Sequence, residues 1–143
     1  MIECKFELNS KPISALIAGS TKFPAWSGIG KHINRRASAC VPNQGPIPPG
    51  MYYIFDRHPG ARKDAGRNLW FALHAVDKKI DDTLICDDKT RDLFRIHPGG
   101  PSNGCVSIKS KSDFLYLRQI LIGGAPSTVP GTTMLARGLL VVT

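Results

Sequence analysis

The chain has 143 residues, a length that suits one domain with its own hydrophobic core. Hydrophobic residues make up 42% and charged residues 21%, which excludes a disordered chain, and no apolar run approaches the ~20 residues that span a bilayer as a helix. The net charge is +8, dispersed over Arg35-Arg36, Arg62-Lys63, Lys78-Lys79, Lys109 and Lys111 with no basic stripe interleaved with aromatics; this argues against nucleic acid and suits a plain basic domain or one that meets an anionic polymer or surface.

Residues 3–8 alternate polar and apolar and predict a strand. They show no basic segment followed by an apolar core, so no secretory signal peptide is expected there. Asn9-Ser10-Lys11-Pro12 supplies turn residues, and 13–17 reads as the returning strand of a hairpin. Residues 19–50 have little periodicity and many glycines and prolines, and a long irregular stretch in a small domain is often functional. Strands follow at 51–55, which is rich in strong β formers, and at 69–76, which is apolar enough for both faces to be covered. Ser110-Lys111-Ser112-Asp113 is a capping-box pattern. Phe114, Leu117, Ile120 and Leu121 then recur at helical spacing up to Gly123-Gly124. A last β segment runs from Thr132 to Val142, bent at Gly138. The sum is a mainly β domain of six or seven strands and one helix.

The segment from Phe94 to Val106 carries the chemistry. His97 stands eight residues ahead of Cys105, with Pro98-Gly99-Gly100-Pro101-Ser102-Asn103-Gly104 between them. A cysteine nucleophile needs a base, because a free thiol titrates near ~8.5, and it needs small residues so that a carbonyl can approach and backbone N–H groups can stabilise an oxyanion. Eight extended residues would span roughly 26 Å, so the loop must fold back for His97 to serve Cys105, and residues 98–101 allow that return. The N–H groups of Gly104 and Cys105 are the oxyanion candidates. Ser102 is either a turn hydroxyl or a group that orients His97 or the substrate. The competing reading makes His97 a surface residue at a strand end and Cys105 a buried, inert thiol.

The other cysteines, Cys4, Cys40 and Cys86, contain no CxxC spacing. Cys4 reads as a small buried hydrophobe; Cys40 and Cys86 read the same way or as a pair. His74 sits in an apolar strand and reads as a core histidine, while His32 and His58 lie in loops. Without an HExxH or clustered ligands, no metal or other cofactor is expected. Arg57, Arg91 and Arg95 are candidates for a substrate carboxylate, with solvated charge as the alternative. GxSxG and phosphate-loop motifs are absent.

At His97 and Ser102-Asn103-Gly104-Cys105 the chain resembles the YkuD-type L,D-transpeptidases, and more closely the type VI secretion L,D-transpeptidase effectors, whose pattern runs Phe-Arg-x-His-Pro-x-Gly and then Ser-x-Gly-Cys. Phe23-Pro24-Ala25-Trp26-Ser27-Gly28, the run from Gly45 through Tyr53 to Ile54, and Asp56-Arg57 agree as well. The resemblance implies a single catalytic domain over 1–143 with a compact YkuD-like β-sandwich or barrel. It implies Cys105 as nucleophile, His97, Ser102 and Gly104 beside it, and Arg95, Asn103, Arg57 and Tyr53 toward the substrate. The implied substrate is the peptidoglycan tetrapeptide stem, trimmed, exchanged or cross-linked through a thioester. The implied partners are a cognate immunity protein and a secretion-apparatus component, with action in the periplasm of a target cell. Two departures from the housekeeping enzymes stand out. Asn103 replaces a histidine, and Ser107 replaces an arginine that helps hold substrate there, which favours trimming or exchange over cross-linking. A non-catalytic basic wall- or partner-binding module and another type of cysteine amidase or peptidase are the alternative readings.

Overall fold

In the first strand, β1 (Ile2–Phe6), Cys4 and Phe6 point inward while Glu3 and Lys5 face solvent, as the sequence alternation requires. The protein is described by a computed structural model for residues 1–56 and 69–143; Arg57 and His58 lie outside the described residues. The turn after β1 is made by Asn9, whose Oδ1 accepts from the Lys11 N–H at 3.0 Å and whose Nδ2 donates to the Ile13 carbonyl at 3.0 Å. It leads into the return strand β2 (Ser14–Ala18).

The chain then forms β3 (Thr21–Ser27), two short 3-10 turns at Gly30–His32 and Arg36–Ser38, β4 (Gly50–Asp56) and β5 (Phe71–Ala75). A hairpin of β6 (Thr83–Cys86) and β7 (Lys89–Asp92) follows, then β8 (Arg95–Pro98), β9 (Val106–Ile108) and the helix α1 (Lys111–Gly123). The short pair β10 (Ser127–Thr128) and β11 (Leu135–Ala136) precedes the last strand, β12 (Gly138–Val142). Eight strands close into a barrel in the order β1-β12-β4-β5-β8-β9-β3-β2, with two parallel contacts, β1 with β12 and β8 with β9.

The inner face collects Phe6, Leu16, Phe23, Ile54, Phe71, Ile96, Val106 and Leu140, and α1 adds Phe114, Leu117 and Leu121 to the same cluster. Each such large side chain contributes about 1.5–3 kcal/mol by leaving water. The Ser110 side chain caps α1 by accepting from the Asp113 N–H at 3.2 Å, as the capping box predicts. The helix ends at Gly124 in an extended conformation, without a left-handed cap. Strand β5 is buried along both faces. Phe71 and Leu73 meet the barrel core, and Ala72 packs outward in a second cluster with Phe55, Val129 and Ala136 under the β10–β11 pair.

The fold is mainly β, as expected, and the described residues form one α-helix and twelve strands rather than six or seven. β3 hides in the irregular stretch because Pro24 argues against a strand. Pro24 accepts from the Lys109 N–H at 2.8 Å, so its missing donor lies on the β9 side, where pairing begins only at Ala25. The β6–β7 hairpin turns at Asp87-Asp88, both at positive φ (52° and 61°), without the usual glycine signal.

A disulfide joins Cys40 to Cys86 and ties the loop after the 3-10 turns to this hairpin. Its partners are 46 residues apart, so cross-linking limits the unfolded chain by about 4 kcal/mol in the chain-entropy account. Replacing both Cys40 and Cys86 by Ser is expected to lower the thermal midpoint by about 10 °C; an unchanged midpoint would remove the disulfide from the stability of the fold.

Candidate active site

The parallel pairing of β8 with β9 sets the geometry of the His97–Cys105 segment. His97 lies in register with Ser107, and residues in register share a face of the sheet. Cys105 lies two residues before Ser107, on the segment that leads into β9, so the β8–β9 pairing brings its chain segment alongside the strand that carries His97. The connection of residues 99–105 is shorter than the dozen or so residues that usually join parallel strands. The pair Gly99-Gly100, at φ of 53° and 72°, makes the sharp return that the sequence predicts.

Three side chains hold the backbone around the cysteine. Ser102, fully buried, accepts from the Gly28 N–H at 3.0 Å and donates to the Cys105 carbonyl at 2.5 Å. Ser27, also fully buried, donates to the Gly104 carbonyl at 3.2 Å and accepts from the Ile47 N–H at 2.8 Å. Arg91 donates to the Asn103 carbonyl at 3.1 Å. Gly104 has a φ of 125°, and a Cβ there would lie 2.6 Å from Arg91 Nη2 and 2.7 Å from the Phe94 ring, so only glycine fits. Its N–H is directed at Ser102 Oγ, 3.4 Å away.

Cys105 is partly exposed, and its Sγ–H donates to the Leu93 carbonyl at 3.6 Å. Leu93 holds a φ of 59°, a conformation that a bulky residue rarely adopts, and its side chain stays exposed. The His97 ring lies against Trp70, with ring centroids 4.5 Å apart and planes 31° apart. Cys4 is the opposite case. It is fully buried in the core, and burial, with Glu3 nearby, pushes its thiol up to about 12.

The other sequence candidates fall in different places. Arg95 grips both carboxylate oxygens of Asp82 at 2.7 Å. His74 is buried, with Nε2 3.7 Å from the same carboxylate, as befits a core histidine. Tyr53 lies in register with His74. Its ring packs near Phe55 and borders the second cluster. The Asn103 side chain is exposed. His32 shares a 2.8 Å hydrogen bond with Ser38. Among the described residues no group of three or more His, Cys, Asp or Glu is arranged to hold a metal ion.

The family profile described as the Tlde1 domain matches residues 21–132, from the start of β3 to beyond β10. The chain belongs to the Tlde1 domain family. This is the family of type VI secretion effectors of the L,D-transpeptidase kind. No curated protein and no solved structure matches the chain. The matched span of the Tlde1 domain contains every residue of the site described above, whereas β1, β2 and β12, which complete its barrel, lie outside that span. No helix among its described residues is long and apolar enough to cross a membrane.

Several residues of this Tlde1 domain site escape sequence reasoning. Ser27 and Trp70 carry no local signal for contact with Gly104 or His97. Arg91 reads in the sequence as a substrate-carboxylate candidate or a solvated charge, but it is 2% exposed and its guanidinium donates to main-chain carbonyls. Leu93 could be found only from its backbone angle.

Proposed function

We propose that this Tlde1 domain is an antibacterial effector that modifies peptidoglycan through a thioester at Cys105. One observation carries the reading. Among the four cysteines, Cys40 and Cys86 are paired and Cys4 is sealed in the core, while Cys105 is partly exposed at the entry to the strand that pairs with the strand of His97.

In this reading His97 takes the thiol proton, and the thiolate attacks the carbonyl of the L-centre of meso-diaminopimelate in a tetrapeptide stem. The Cys105 N–H stabilises the oxyanion, with Gly104 giving the carbonyl room to approach. The imidazolium returns its proton to the leaving amine of the terminal D-alanine, and a thioester remains. Water resolves it in L,D-carboxypeptidase activity, a free D-amino acid in exchange, and the amine of another stem in cross-linking. Ser102 acts on the backbone of the nucleophile rather than on its proton.

The disulfide suits an oxidising compartment such as the periplasm of a target cell, and the net charge of +8 suits an anionic wall. Effector membership supports a cognate immunity protein and a secretion component as partners. Asn103 and Arg95 border the loop as substrate contacts, with Arg95 acting together with Asp82. Arg57 and Tyr53 complete the proposed substrate-facing set. The test is mass spectrometry of tetrapeptide muropeptides after incubation with the protein. Loss of one alanine, or its replacement by an added D-amino acid, is expected; cleavage at another bond would make the protein a different cysteine hydrolase.

A further inference from the structure

Arg91 is the one Lys, Arg, Asp or Glu side chain in the buried set of the described residues. Its Nη1 donates to the Ala39 carbonyl and, at 3.0 Å, to the Pro46 carbonyl. Its Nη2 donates to Gly45 at 3.0 Å and Asn103 at 3.1 Å. The guanidinium lies 5.3 Å from the centre of the Phe94 ring. All four acceptors are neutral main-chain carbonyls, and among the described residues no carboxylate hydrogen-bonds to it.

We infer that Arg91 is a positioning residue for the nucleophile: through Asn103 it fixes the Gly104–Cys105 backbone, and its charge favours the thiolate of Cys105. The inference rests on the reading of Cys105 as nucleophile. Its logic is one of cost. Burying a cation is expensive, and four neutral carbonyls accept its N–H groups without cancelling its charge. That remaining charge is useful beside a sulfur that must ionise, because a cation nearby favours the thiolate over the thiol. Burial pushes the guanidinium below its ordinary value, and Tyr52, Asp92 and Cys105 act in the opposite direction. The attraction between Arg91 and an ionised Cys105 is mutual.

The other charged and titratable groups nearby do not duplicate this role. Arg95 is matched by Asp82, to which His74 also turns. Asp92 is exposed, and the Tyr52 hydroxyl, pushed up by burial, donates to Pro48 and stays neutral. His97 lies on the strand that pairs with β9, which Cys105 precedes. The Cys40–Cys86 disulfide braces the same assembly, since Cys40 follows the Ala39 acceptor and Cys86 lies on the strand paired with Arg91.

The experiment is the pH dependence of iodoacetamide alkylation at Cys105, read from the mass of the Cys105 peptide, in a His97→Ala background that removes the imidazole. With Arg91 present, the inflection is expected below the ~8.5 of a free thiol. Adding Arg91→Gln is expected to raise it by about one pH unit or more, whereas Arg91→Lys holds it near its starting point and lowers kcat through the lost fork. An inflection at or above the free-thiol value with Arg91 intact overturns the inference, and that arm decides even if Arg91→Gln does not fold. An unmoved inflection in folded Arg91→Gln overturns it too. Either result leaves Cys105 as nucleophile if wild-type protein trims stems; an active Cys105→Ala variant would instead sink that underlying reading.

Discussion

Cys105→Ala is expected to leave tetrapeptide stems intact while the protein melts at its wild-type temperature. The proposed reaction passes through a bond to Sγ, and no neighbouring side chain can form the thioester in its place. Removing a nucleophile that acts together with its base costs at least about 10⁴-fold in rate. The stability cost is small, because Cys105 is partly exposed and Sγ makes a weak sulfur hydrogen bond to the Leu93 carbonyl. Mass spectrometry of muropeptides, run beside a thermal melt, checks both halves. Trimming at the parental rate by a folded Cys105→Ala protein would refute the thioester. Cys4→Ala makes the matching control: it removes a core thiol pushed up to about 12, so it is expected to touch stability and spare the rate.

His97→Ala is expected to lower kcat/KM by about 10²–10⁴-fold near neutral pH, the usual worth of a positioned base. The deficit narrows as pH rises, because hydroxide then ionises the thiol without help, so the rate profile distinguishes a lost base from a damaged fold. Stacking against Trp70 gives the ring a structural part as well, and the melt of the variant measures that part separately. If the rate stayed within threefold of wild type across the pH range, the base would be another group.

Much of this molecule is legible without coordinates because its codes are short-range. The alternation at 3–8, the Asn9 turn, the capping box at Ser110 and the helical recurrence of Phe114, Leu117 and Leu121 each read within one turn or one strand, and each has its counterpart in the structure. The strand containing Pro24 and the Asp87-Asp88 hairpin are not legible, since each uses residues that normally argue against its conformation and is rescued by the neighbours it pairs with.

What the sequence by itself determined is a β-rich domain with one capped helix and a glycine-rich return between His97 and Cys105, because periodicity and turn chemistry act over a few residues. Tertiary structure alone decided which groups surround that return. Barrel closure brings Ser27 to Gly104 across 77 residues, the β6–β7 hairpin outside the barrel carries Arg91 to Gly45 across 46, and the disulfide joins Cys40 to Cys86. Such contacts depend on strand order and register, which no local pattern encodes, and that is why a guanidinium that reads as a substrate contact or solvated charge is buried against the backbone beside Cys105.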